Sequence, residues 1–488
     1  MSALATQTRR KNLALVLLAV TQFVIVLDAS IVNVALPSIG RALDFSQDNL
    51  SWVVNAYTLT FGGFLLLGGR LADLLGRRSI FMSGLVLFSI ASLLGGLAQS
   101  DTWLIAARAA QGLGAALVSP AALSLITTIF TEGAERNRAL GVWGAVAGSG
   151  GAAGVLLGGV LTQWIGWEAV LFVNVPIGLI AAAVAPRILP ESRNADHRYF
   201  DVQGAVLVTG GLALLVYALV DANNAGWGTF HTIGLGGIAL GLLALFVAWE
   251  SRAKHALMPF SIFRLRTLRG ANVIGLLLGL ALFAMFFFLS LYMQQVLGYD
   301  ALKAGVSYLP LALMLVGSAG IASQLVTRIG FKPTLISGML LLTAGLVWFS
   351  RVSADGSYLG DVLFPSIVVG LGLGLAFVPV TVAAVTGTKP EEAGLASGLI
   401  NTAQQVGGAL GLAILSAIAT ARTNHVIADG VHSHAAALTA GFHTAFLVGA
   451  GFALAAALLA VVMISSADSR AHARAASAEG EVAPVPAA

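Results

Sequence analysis

The chain has no cysteine. That excludes disulfides, a thiol nucleophile and Cys-ligated metal, and it leaves the redox compartment unread. Charge is scarce too: of 488 residues, 10% are Asp, Glu, Lys or Arg and 58% are hydrophobic. Soluble domains run near a quarter charged, and a soluble chain of this length could not hide so much apolar surface, so its solvent must be lipid. Gly-Lys never occurs, which rules out the phosphate-cradling GxxxxGK[ST] loop and leaves direct ATP drive unsupported. No nucleophile–base set and no basic nucleic-acid face is visible, so neither an enzyme nor a nucleic-acid binder is expected. His425, His432, His434 and His443 lie in or beside one loop, where no acidic or Cys partner completes a recognisable set, and no metal is expected there.

What the chain does have is fourteen apolar stretches, each long enough to cross a bilayer at about 20 residues. They lie near 13–35, 52–69, 79–98, 102–127, 139–161, 167–186, 202–220, 231–249, 270–296, 304–327, 333–350, 359–384, 394–420 and 442–464. With the N-terminus inside and alternation thereafter, 21 of the 26 Lys and Arg fall on the cytoplasmic side, four outside, and Arg108 within a span. This positive-inside bias never inverts along the chain, so both termini are predicted to be cytoplasmic. The first stretch follows "RRK" but carries Asp28 and leads into thirteen more, so it reads as a span and not a cleaved signal. The Ala-rich polar tail, 465–488, is expected to be disordered.

The chain also contains itself twice. "GRLADLLGRRSIFMSG" (69–84) aligns without a gap on "SQLVTRIGFKPTLISG" (323–338), an offset of 254. Glu135, Gly141, Gly150, Gly151 and Gly154 align on Glu392, Gly398, Gly407, Gly408 and Gly411, an offset of 257. Spans 1–6 (13–186) and 9–14 (270–464) therefore read as parallel copies of a six-helix unit. They are flanked by a cytoplasmic N-terminus (1–12) and joined through a linker with two inserted spans (187–269). Parallel repeats are a transporter architecture, with the substrate site at the midplane between the halves and alternating access by rocking.

Several stretches carry a family resemblance: "LDASIVNVALP" (27–37), "GGRLADLLGRR" (68–78), "RAAQGLGAA" (108–116), "WEAVLFVNVPIG" (167–178) and "GLASGLINTAQQVGGALG" (394–411). Together they resemble the major facilitator superfamily, in its fourteen-span drug:proton antiporter branch. The resemblance implies an all-α membrane protein with two six-helix halves, 14 transmembrane helices and export of small molecules. By resemblance, Gly69, Asp73, Gly76, Arg77 and Arg78 help latch the halves in one state. Gly150, Gly154, Gly158 and Gly159 match the antiporter motif, although Val155 stands where that motif has proline; Glu168 replaces an arginine of the sixth-span motif. Independently of resemblance, glycines every four residues let helices approach closely.

Two polar residues stand out within spans. A carboxylate at mid-helix costs about 2.5–3.5 kcal/mol to insert, and such residues mark ion or proton pathways. Asp28 is the one acid placed well inside a span. Desolvation disfavours its charged form, which predicts a group that gains and loses protons near physiological pH. Arg108 enters from the outside to about the same depth, about 10 Å by helix rise, so the two are candidates for proton coupling. Polar stripes at helical spacing nominate Asn55 and Thr58, Gln111, and Asn401, Gln404 and Gln405 as substrate-path or helix-glue residues; Asn33, Tyr57, Tyr292 and Gln295 are further candidates.

The resulting expectation is a monomeric, multi-pass protein of the bacterial cytoplasmic membrane. It would exchange protons for hydrophobic neutral or monocationic drugs and need no cofactor beyond the proton. The rival is a dedicated exporter of one metabolite or self-made antibiotic. An uptake symporter, a membrane enzyme and a channel rank below both.

Overall fold

The computed structural model describes residues 2–130, 134–192, 201–226, 228–253, 260–388 and 393–481. Its long helices are α1 (Ser2–Ala42), α2 (Trp52–Leu75), α3 (Arg77–Gly96), α4 (Asp101–Ile129), α5 (Ala134–Trp164), α6 (Asn174–Ile188), α7 (Val202–Ala225) and α8 (Phe230–Glu250). They continue with α9 (Arg266–Leu291), α10 (Leu309–Ile329), α11 (Phe331–Phe349), α12 (Phe364–Val385), α13 (Ala393–Ala428), α14 (His434–Met463) and α15 (Ser466–Glu481). No strand occurs among the described residues. Twelve helical segments among them are long and apolar enough to cross a membrane. Helices α2, with 24 residues, and α5, with 31, take the second and fifth predicted places. Helix starts carry side-chain caps where the sequence offers Ser, Thr or Asp: Ser100 caps α4, Asp201 α7, Thr229 α8 and Ser433 α14.

The internal repeat is present in the packing. In the first half α1 packs on α5, and α4 on α2 and α3; in the second α9 packs on α13, and α12 on α10 and α11. Equivalent glycines make equivalent contacts. A Cβ on Gly114 would lie 2.6 Å from the Phe88 amide and 2.9 Å from the Gly84 carbonyl oxygen. On Gly372 it would lie 2.5 Å from the Leu342 amide and 2.9 Å from the Gly338 carbonyl oxygen. Gly76 (φ +112°) and Gly330 (φ +90°) make the same break between second and third helices, a conformation that penalises any Cβ. The inserted pair, α7 and α8, packs on itself, and α7 lies along the seam between α2 and α13. There Leu59, Val216, Ala409 and Ala413 form a small apolar cluster, and Thr209 donates to the Gly63 carbonyl at 3.0 Å.

The tail corrects the expectation of disorder across its described part. Ser466–Glu481 is helical and docks on α10 and α11. Ser469 accepts the Lys332 amide at 3.0 Å, and Thr267 donates to Asp468 at 2.5 Å. Composition alone pointed to disorder because the docking partners lie more than a hundred residues away in sequence.

The halves meet at the end where α1 and α9 terminate. Ser290 donates to the Asn33 carbonyl at 2.6 Å and Gln294 to the Val34 carbonyl at 2.9 Å. The same face of α1 is uncovered at its other end. Val16 lies eighteen residues, or about five turns, before Val34; Val34 is fully buried, whereas Val16 is 59% exposed. Beside Val16 a cleft of about 450 Å³ runs between α1 and α5, lined by Asn12, Val16, Val20, Phe23, Val142 and Val146 among others. The structure is thus zipped at one end and open at the other.

Candidate functional site

Asp28 sits at mid-α1 on the face turned into the first six-helix bundle and is completely buried. Arg108 of α4 is 1% exposed, and the two residues that sequence placed at one depth touch. Arg108 Nη1 donates to Asp28 Oδ2 at 2.6 Å. The other carboxylate oxygen accepts two amides, from Gln111 Nε2 at 2.7 Å and Asn174 Nδ2 at 2.7 Å. Arg108 also donates through Nε to the Val53 carbonyl at 3.0 Å and through Nη1 to Gln111 Oε1 at 2.7 Å. Its guanidinium carbon lies 4.3 Å from the centre of the Tyr57 ring, a favourable cation–π geometry. Ser92 Oγ accepts from both amides, at 2.7 Å from Gln111 and 3.1 Å from Asn174.

Five helices therefore converge on one carboxylate: α1, α2, α3, α4 and α6. The lone acid expected from sequence is a member of a cluster whose contacts all donate to it, and three donors with one full positive charge compensate its burial. Asn174 and Ser92 were missed. Asn174 lies inside the quoted "WEAVLFVNVPIG", a polar amide within an apolar run, and that was the available signal; Ser92, one hydroxyl in a span rich in small residues, gave none.

The cluster has no counterpart in the second half. Gly154 abuts the Leu27 carbonyl and Gly411 the Leu280 carbonyl, so the repeat carries Asp28 onto Ala281. Gly114 and Gly372 likewise carry Arg108 onto Ser366. Both equivalents are buried and uncharged. The titratable machinery is one-sided.

Helix α5 backs the acid-bearing stretch of α1. A Cβ on Gly150 would lie 3.1 Å from the Phe23 carbonyl oxygen and one on Gly158 2.6 Å from that of Ile31. On Gly154 it would overlap the Ser30 hydroxyl. The adjoining face meets the other half: Gly159 packs on Ala301, and the Val155 carbonyl on Gly305. One helix thus touches both the segment around Asp28 and the opposite half.

The remaining candidates separate. Gln111 and Tyr57 belong to the buried cluster and line no open path. Asn55 is fully buried with both side-chain polar atoms unpartnered among the described residues, whereas Thr58 bonds its own helix at the Val54 carbonyl, 2.7 Å away. Asn33 is buried and bonds back to Ala29. Tyr292 donates to the Ser353 carbonyl at 2.8 Å and anchors a loop at the closed end. Gln295 lies in the same terminal turn. On α13 Asn401 is exposed and Gln404 and Gln405 are half-buried, Gln405 against Gly62 of α2. The open cleft is lined instead by Asn12 and apolar residues of α1 and α5.

The latch residues bond to the first half and to the start of the linker here. Gly69 faces Pro120. Arg77 donates its amide to the Ser192 carbonyl at 3.0 Å and its guanidinium to Thr128. Arg78 donates to the Leu189 carbonyl at 3.2 Å and pairs with Glu191 at 3.6 Å. Glu191 also accepts the Arg78 amide at 3.2 Å and the Ser79 hydroxyl at 2.6 Å, capping α3 beside Gly76. Ser469 does the same for α11 beside Gly330. The Asp73 side chain lies outside the described residues.

Comparison with known proteins agrees with this architecture. The family model described as Major Facilitator Superfamily matches residues 18–412. The cephamycin export protein CmcT of Amycolatopsis lactamdurans is 41% identical over 468 residues, 95% of each chain. The puromycin resistance protein pur8 of Streptomyces alboniger is 40% identical over 464 residues, 94% of this chain and 92% of that one. The fold resembles a solved bacterial homologue of the human lysosomal transporter Spinster, in an inward-facing and occupied conformation. The TM-score is 0.68 at 13% identity, covering 94% of this chain and 98% of that one.

Proposed function

The chain belongs to the Major Facilitator Superfamily, and on that premise we propose that it is a proton-coupled antiporter exporting hydrophobic, neutral or monocationic small molecules from a bacterial cytoplasm. Fourteen crossings with both ends cytoplasmic follow from the charge distribution, which makes the open end of the structure the cytoplasmic one. Substrate enters the cleft between α1 and α5, whose volume of about 450 Å³ falls in the range of small-molecule sites. Its apolar lining with the Asn12 amide favours hydrophobic molecules carrying few hydrogen-bonding groups.

The observation that carries proton coupling is the Asp28–Arg108 pair, 2.6 Å apart and buried, in the one half that carries a charge there. Rocking of the halves moves α5, and α5 is packed on α1 around Asp28. A changed Asp28–Arg108 contact alters the balance between bound and released proton. The driving force suffices: one proton crossing 100 mV supplies about 2.3 kcal/mol, and each pH unit adds about 1.4 kcal/mol. Sealed vesicles under an imposed pH gradient, wild type against Asp28→Asn, test the reading. Gradient-driven accumulation should vanish in the variant; accumulation that ignores the gradient, or a variant that transports normally, refutes it.

A second reading is dedicated export of a single antibiotic. It is favoured by the two relatives at 40–41% identity, one described as a cephamycin exporter and the other as a puromycin resistance protein. Transport across a panel of dyes and antibiotics separates one substrate from many.

A further inference from the structure

The hydrogen bonds around Asp28 describe one protonation state only. Oδ1 accepts from Gln111 and Asn174, Oδ2 from Arg108, and a protonated carboxyl would add a hydrogen that none of these donors can receive. One acceptor stands ready beside it. Asn174 is fully buried and its Oδ1 has no partner among the described residues, while its Nδ2 serves both Asp28 and Ser92. Ser92 Oγ accepts from two amides, and a hydroxyl that accepts can also donate.

We propose that Asn174 and Ser92 form a hydrogen-bond switch that follows the protonation of Asp28, an inference that rests on the proton-coupling reading. With Asp28 ionised, the Asn174 amide donates one N–H to Oδ1 and one to Ser92. When Asp28 takes a proton from water, the amide turns over about its terminal torsion and Oδ1 of Asn174 occupies the place of Nδ2. It then accepts the new carboxyl hydrogen, and the Ser92 hydroxyl rotates to donate to the same oxygen. Gln111 keeps its donations throughout. The proton adds one positive charge, which remains on Arg108 with the Val53 and Gln111 oxygens as its partners.

The alternation needs no backbone movement, since the two arrangements differ by an amide flip and a hydroxyl rotation. Each leaves one Asn174 atom unpaired, so neither state is trapped by a fully satisfied network. The charged or titratable groups facing Asp28 are Arg108 from α4 and Tyr57 from α2, whose hydroxyl donates to the Ile25 carbonyl at 3.4 Å. Helices α3 and α6 bring Ser92 and Asn174, and α5 brings Gly154 against the neighbouring Leu27 and Ser30. Asn174 and Ser92 are positioning residues, acting through Asp28.

Infrared difference spectra of the purified full-length protein, stepped in pH without added substrate, test this. The carboxylic-acid band missing in Asp28→Asn identifies the group. In the wild type a side-chain amide carbonyl band should shift in step with that acid band, because Asn174 Oδ1 goes from no partner to two, and the shifting band should be missing in Asn174→Leu. Ser92→Ala removes one of the two donors and should shrink the shift while leaving it in step with the acid band. An acid band that comes and goes with no Asn174 amide band moving beside it would overturn the switch while leaving proton coupling intact. If Asn174→Leu does not fold, isotope labelling of the asparagine side chains in the otherwise wild-type protein assigns the amide band, and the same criterion decides. A wild type with no such acid band between about pH 4 and 9 would overturn the coupling reading and the switch together.

Discussion

Replacing Arg108 with Met keeps most of the side-chain volume and removes every donor it supplies. Asp28 loses the bond at 2.6 Å and keeps two neutral amides, which do not offset a full buried charge. Breaking a buried pair by removing one partner destabilises by about 3–5 kcal/mol. The opposite deletion should cost less, because in Asp28→Asn the guanidinium retains the Val53 and Gln111 oxygens and the Tyr57 ring. The double variant leaves no uncompensated charge and should fall well short of the summed single losses, a coupling of more than about 2 kcal/mol. Thermal unfolding of the four purified proteins measures all three effects. Additive losses would show that burial of this pair is not what holds the cluster together.

Three further outcomes are expected. Gly154→Ala places a methyl on the Ser30 hydroxyl and 2.7 Å from the Leu27 carbonyl oxygen, so it should destabilise by about 1–3 kcal/mol. Gly151→Ala, with nothing within 4 Å, should be silent in the same melts. Glu191→Ala uncaps α3 and should lower stability by about 0.5–2 kcal/mol, with faster proteolysis at the turn after Gly76 as its local signature. Because the chain has no cysteine, single substitutions report accessibility cleanly: Val16→Cys should react with a maleimide applied from the cytoplasmic side, whereas Val34→Cys should stay protected, and equal labelling of the two would contradict the open and closed ends.

The repeat illustrates how far sequence reaches. Matching glycines at an offset of 254 were legible because close helix approach permits few residues, and Gly84 and Gly338 do make matching contacts with their neighbours, on α4 and α12. Polar stripes were less informative. Asn55, Thr58 and Gln111 obey helical spacing, yet they face protein, because spacing fixes a face without saying what covers it. The cleft went unseen for the converse reason: Val16, Val20, Val142 and Val146 look like lipid-facing residues in a linear reading. Glu191 and Ser469, one carboxylate and one hydroxyl, cap equivalent helices in the two halves, a relation that residue identity conceals.

By itself the sequence determined the solvent, the succession of helices, the doubling of the unit and the depth of Asp28 and Arg108. Each of these follows from composition or period along one chain, where the cost of placing polar groups in lipid leaves few options. Only tertiary structure decided that Asp28 and Arg108 touch, that Asn174 and Ser92 complete their shell, and which end of the molecule is open. Those facts depend on contacts between residues up to 260 positions apart, and on how the two halves lean, which no local pattern encodes.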